Sequence, residues 1–162
     1  MINEPSYCPF CYPESEREII LENTLCYCVY DKYPVSKGHA LIITKRHCAD
    51  YFELTPAEHT ACWAMVNEIK QILDNKYHPD GFNIGINVNE AAGQTVPHVH
   101  IHLIPRYKGD IKDPEGGVRG VIPEKRMYRI RMADNTVGKS NEIRESKIPQ
   151  SLNQPLLFLH SK

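Results

Sequence analysis

From His98 to Ile104 the chain reads HVHIHLI, histidine alternating with branched apolar residues. A period of two belongs to an extended strand, in which residues two apart share a face at about 6.6–7 Å. His98, His100 and His102 are therefore expected on one face, and Val99, Ile101 and Leu103 on the other, against a core. A strand built this way needs sheet neighbours, and the rest of the chain must supply them.

The neighbours are legible. ENTLCYCVYD (22–31) alternates as a strand and is closed by the turn at Pro34–Gly38; HALIITK (39–45) is too short and too branched for a helix and reads as a second strand. At Leu54–Glu58 a threonine cap, a proline at the first helical position and a glutamate three residues past the cap predict a helix start. Cys62, Val66, Ile69 and Leu73 then recur at steps of three and four, so the helix over 56–77 lays one stripe on a sheet. FNIGINVN (82–89), the turn EAAG (90–93) and TVPHVHIHLIP (95–105) predict a long hairpin. Beyond Arg106 the chain is rich in glycine, proline and charge. Residues 115–125 read as a loop followed by a short helix opening at Pro123, and residues 132–162 show no sustained period, although LLFL at 156–159 is apolar enough to need cover.

A chain of 162 residues is long enough for one domain with a sizeable core. With a net charge of -1 there is no basic excess to hold a phosphate backbone, which argues against long nucleic acid as a partner. No segment approaches the roughly 18–20 apolar residues of a membrane span, and MINEPSYCPF lacks the features of a signal peptide, so a cytoplasmic protein is expected. In that setting the six cysteines are thiols or metal ligands rather than bridges. Cys26, Cys28, Cys48 and Cys62 read as plain buried thiols.

Three chemistries are open to the histidine strand. The rings can be hydrogen-bonded surface groups, but burying their nitrogens gains little. They can be metal ligands, although side chains about 7 Å apart on one strand converge poorly on one ion with bonds near 2 Å. Or the middle imidazole can be a nucleophile toward phosphorus, splitting one displacement into two, with its neighbours donating hydrogen bonds to phosphoryl oxygens and a proton to the leaving group. Cys8-Pro-Phe-Cys11 has the spacing of a metal knuckle; a redox pair, for which the expected preceding strand and following helix are lacking, and chance are the lesser alternatives. A phosphate-binding P-loop is excluded, since GxxxxGK[ST] does not occur.

His98-Val-His100-Ile-His102-Leu-Ile, together with Ala92-Gly93-Gln94-Thr95-Val96 before it and Lys37-Gly38-His39 before ALIITK, resembles the histidine triad (HIT) family over roughly residues 8–108. The resemblance implies an α+β fold with an antiparallel sheet of about five strands and a packed helix, in a nucleotide-binding domain over 1–131 followed by an extension over 132–162. It also implies that His100 takes up a nucleoside monophosphate, with its other ring nitrogen held by a backbone carbonyl. His39, His98 and His102 would complete the catalytic set, His39 and His102 around the α-phosphate. Asp31 would hold the ribose, Asn87 would reach ribose or phosphate, and Gln94 and Thr95 would bond phosphate and bridging oxygens. In family members bearing structural zinc, the ligand positions match Cys8, Cys11, His47 and His98; no organic cofactor is implied.

The glycine-rich segment after the triad is similar to that of the diadenosine polyphosphate hydrolase-like branch, where Arg119 and Lys125 would face distal phosphates or a second nucleoside. The expected activity is release of AMP from diadenosine polyphosphates or other AMP-X compounds by a homodimer. A nucleotidylyltransferase using phosphate as acceptor, and a nucleotide sensor without turnover, stand as alternatives.

Overall fold

The computed structural model describes residues 8–12 and 18–127. Five strands, β1 (Ile19–Glu22), β2 (Cys26–Tyr30), β3 (Ala40–Thr44), β4 (Gly81–Gly85) and β5 (His100–Arg106), form one antiparallel sheet in the order β1-β2-β3-β5-β4. One long helix, α1 (Pro56–Tyr77), packs on it. The α+β arrangement is the one expected. Among the described residues no helix is long and apolar enough to cross a membrane. The expectations for residues 132–162 lie outside the described residues.

Register decides which side chains meet. Pairing of β3 with β5 sets Ile42 opposite Ile101 and Ala40 opposite Leu103, and these four meet Cys62, Met65, Val66, Ile69 and Leu73 of α1 in the main core. The alternate residues Leu41 and Ile43 lie opposite His102 and His100 and face away from the helix. They pack with Tyr27, Val29, Cys8 and Phe10, so the central strands are covered on both faces. Gly38, which leads into β3, has φ +85°, and a Cβ there would stand 2.7 Å from the Tyr77 ring, so glycine is required.

Helix α1 begins as its sequence dictates. The Thr55 hydroxyl accepts from the Glu58 N–H, and the Glu58 carboxylate accepts from the Thr55 N–H at 2.8 Å, closing a capping box with Pro56 behind it. Glu58 is buried and also receives the Arg46 Nε and Nη2 donors, each at 2.8 Å, which ties the helix start to the chain leaving β3. The Arg46 guanidinium holds the Glu58 carboxyl down to about 2, against the cost of burial. The ionised form is therefore favoured by folding. Its contribution is complete above the ordinary glutamate range near 4.3 and fades as pH falls toward 2. Because Arg46 is half exposed, Glu58→Gln is expected to cost only about 1–2 kcal/mol at pH 7. Urea unfolding at pH 7 and at pH 3 should show that difference narrowing at the lower pH.

Four strand bounds differ from those expected. The stretch 22–31 is not one strand, because the Asn23 side chain accepts from the Leu25 and Cys26 N–H groups and bends the chain between β1 and β2. The strand at 39–45 is trimmed to Ala40–Thr44. The strand at 82–89 stops at Gly85, and Asn89 has φ 67°. The strand at 95–105 begins only at His100: Pro97 has no N–H to donate, the His98 N–H turns back to the Val96 carbonyl, and the Val99 N–H goes to the Cys48 carbonyl. His98 therefore precedes the strand, but its ring still lies against Phe10 and Cys8, on the side of the sheet that His100 faces. The expected short helix at Pro123 is a single 3-10 turn, Pro123–Lys125.

Candidate functional site

His98 is fully buried, and its ring is committed to the N-terminal knuckle. Its Nε2 lies 2.7 Å from the Thr44 carbonyl, which can only accept, so the ring proton sits on Nε2 and Nδ1 is a bare lone pair. That lone pair faces Cys8 Sγ at 3.4 Å, Cys11 Sγ at 3.5 Å and His47 Nδ1 at 3.3 Å; Cys11 Sγ is 3.2 Å from His47 Nδ1. The four donor atoms all lie within 4.8 Å of one another. Tetrahedral bonds of about 2.3 Å to sulfur and 2.0–2.1 Å to nitrogen place ligand atoms roughly 3.3–3.8 Å apart, close to these separations. Burial, and then Cys8 beside it, push the Cys11 thiol up to about 11, and burial holds His98 below its ordinary value. A cation reverses the cost of packing such donors together. The set can hold a metal ion, with the Thr44 carbonyl fixing the His98 ring from behind.

The His98 backbone serves a different centre. Its carbonyl accepts from His100 Nδ1 at 2.7 Å, which leaves Nε2 as the nitrogen of His100 that carries a free lone pair. His100 lines a cavity of about 500 Å³ together with Phe10, Asp31, Lys32, Tyr33, Leu41, Thr95 and Val96. His39 and His102 stand between this cavity and a second one of about 460 Å³ on their other side, lined by Asn83, Gly85, Asn87 and the glycine-rich turn at Gly117–Val121.

His39 and His102 form a chain of fixed polarity. The Val35 N–H, which can only donate, reaches His39 Nδ1 at 3.3 Å, so the His39 proton is on Nε2, 3.0 Å from His102 Nδ1. His102 is thereby left with its proton on Nε2. Burial, then His100 and His39, hold His102 down to about 4, and burial holds His39 below its ordinary value despite the Asp31 carboxylate 3.5 Å away. Both rings are neutral near pH 7. Asp31, His39 and His102 also come close enough together to suit a metal, but both His39 nitrogens are already engaged by Val35 and His102.

The remaining site residues separate into those the fold brings together and those it does not. Asp31 and Thr95 line the larger cavity and Asn87 the smaller one. Gln94 ties its turn to the chain after β3: its Oε1 accepts from the Asn89 N–H at 2.7 Å and its Nε2 donates to the Ala49 carbonyl at 2.8 Å. Arg119 donates to the Lys125 and Arg126 carbonyls, bracing the glycine-rich segment, and neither Arg119 nor Lys125 lines either of these two cavities. Phe10, Val35 and Thr44 escaped sequence reasoning. Only Phe10 carried a signal, an aromatic residue held between the two knuckle cysteines.

Comparison with known proteins identifies relatives of this fold. The chain is 40% identical over 80 residues to the asymmetrical bis(5'-nucleosyl)-tetraphosphatase of Schizosaccharomyces pombe, covering 49% of this chain and 44% of that one. It is 30% identical over 98 residues to the AP-4-A phosphorylase of Mycobacterium tuberculosis H37Rv, covering 60% and 50%. It thus spans about half the length of either relative. A zinc-bound histidine triad family protein from Mycobacterium smegmatis superimposes with a TM-score of 0.58 at 33% identity, over 64% of this chain and 75% of that chain. The HIT domain model matches residues 12–109, a span that holds the histidine strand, His39 and His47, and the chain belongs to the HIT family.

Proposed function

We propose that this chain is a nucleotide hydrolase that releases AMP from diadenosine polyphosphates or related AMP-X compounds through a nucleotidyl group carried on His100. The observation that carries the reading is the 2.7 Å hydrogen bond from His100 Nδ1 to the His98 carbonyl, which presents a free Nε2 lone pair to a cavity of about 500 Å³. His100 Nε2 attacks the α-phosphorus; a P–N bond forms as the P–O bond to the leaving group breaks. The neutral His102 Nε2–H is the donor available to that departing oxygen or to a phosphoryl oxygen. Water then attacks the same phosphorus, the P–N bond breaks with its electron pair returning to His100 Nε2, and the proton from water passes to the phosphate products or to solvent.

Asp31 and Thr95 bind the nucleotide in the larger cavity, and Asn87 and the Gly117–Val121 turn take the leaving portion in the smaller one. Zinc is the metal that a Cys₂His₂ set favours, and it would tie the N-terminal turn to the sheet as a closed four-ligand site. The working unit is a homodimer, which light scattering on the full chain checks.

His39 holds His102 in its donor tautomer. His39→Ala is expected to lower turnover about 100-fold, and His39→Gln, whose amide can still donate to His102 Nδ1, to recover part of it.

A second reading, transfer of the nucleotide from His100 to inorganic phosphate, is favoured by the relative named a phosphorylase. Product analysis on diadenosine tetraphosphate separates the two. Hydrolysis yields AMP and ATP whether or not phosphate is added, whereas ADP appearing only with phosphate would replace the hydrolase reading with the transferase one. A chain that bound AMP and turned over none of these compounds would be a sensor, contrary to both.

A further inference from the structure

Two residues connect the four-donor cluster with the larger cavity. His98 gives its ring nitrogen to the cysteine cluster and its backbone carbonyl to His100, 2.7 Å away. Phe10 sits between Cys8 and Cys11, and its ring stands edge-on to His100 at 5.1 Å and to His98 at 5.9 Å while walling the larger cavity. The Cys11 and Tyr12 N–H groups close a turn on the Cys8 carbonyl, and the Tyr27 hydroxyl donates to the Phe10 carbonyl at 2.6 Å. Phe10 therefore has little freedom once both cysteines are held. Without that hold, a short turn on a sheet face must be kept by packing and its hydrogen bonds with no cross-link, at a greater cost in conformational entropy.

We infer that metal binding and nucleotide binding are thermodynamically linked in this chain, through Phe10 and the His98 carbonyl as positioning groups. The inference rests on the zinc and nucleotide readings above and adds their coupling. A cation on Cys8, Cys11, His47 and His98 fixes the wall and the hydrogen bond that the nucleotide meets. A nucleotide bound against that wall holds the same turn in its ligating shape. Because linkage is reciprocal, the factor by which metal raises nucleotide affinity must equal the factor by which nucleotide raises metal affinity.

The test is competition for zinc between the full-length protein and a chromogenic chelator, with and without saturating AMP, alongside calorimetric titration of AMP into zinc-loaded and zinc-stripped protein. The expected result is a shift of about tenfold in both directions. Phe10→Ala, which keeps all four ligands, should still take up zinc but show a shift below about twofold. Equal zinc affinity with and without AMP in the unaltered chain would overturn the linkage. A full shift retained in Phe10→Ala would overturn the linkage through Phe10, the residue that walls the cavity from between the two cysteines. A chain that takes up no zinc, or that binds no AMP, would overturn the corresponding reading, and the linkage with it; each shows in its own arm of the experiment.

Discussion

His100→Ala is expected to reduce turnover of diadenosine tetraphosphate by about 10⁴-fold or more while leaving AMP binding within about tenfold. The asymmetry follows from what the ring supplies. In the proposed reaction His100 would contribute a lone pair to a covalent step, in which His39, engaged at both nitrogens, and His102, left with a proton on the nitrogen not bound to His39, could not replace it. Binding draws instead on the cavity around Phe10, Asp31, Leu41 and Thr95, which the truncation leaves standing. Steady-state assay and calorimetry on the same preparation check both halves. A variant retaining more than a few per cent of the rate would remove His100 from the nucleophile's role.

Stripping the metal is the second large effect. The Cys8, Cys11, His47 and His98 donors come from the N-terminal turn, the chain after β3 and the approach to β5, so one ion held there would cross-link three segments far apart in sequence. The free energy of filling such a site is largely folding free energy. Removing zinc with a strong chelator should lower the unfolding midpoint by roughly 10 °C or more, read by circular dichroism, with recovery on adding zinc back. An unchanged midpoint in protein shown to have lost its metal would contradict a structural role. Metal content near zero per chain, in protein never exposed to chelator, would count against zinc itself.

Much of the architecture was readable from local pattern. Thr55, Pro56 and Glu58 announced the helix because a capping box is a contact within one turn, and Ile101 and Leu103 announced the buried face of β5 because period two is local as well. The misreadings arose where a single side chain overrode the pattern. Asn23 bends a stretch whose alternation reads as one continuous strand, and after Pro97, which has no N–H to pair, the ladder begins only at His100. The motif spacing located the histidines but could not divide their labour. That His98 gives its ring to one centre and its carbonyl to another depends on Thr44 and Cys8, 54 and 90 residues away. The Val35 amide that sets the His39 and His102 tautomers is likewise visible only once β3 and β5 are paired. Gln94, placed beside the triad by sequence, is drawn off to the Ala49 carbonyl by a loop contact that no periodicity encodes.

The covalent step is open to direct observation. Protein mixed with a diadenosine polyphosphate for milliseconds, denatured in base to preserve a phosphoramidate and digested for mass spectrometry, should carry one adenylyl group, on His100. Full turnover with no adduct at any quench time, or an adduct on a different residue, would contradict the assignment.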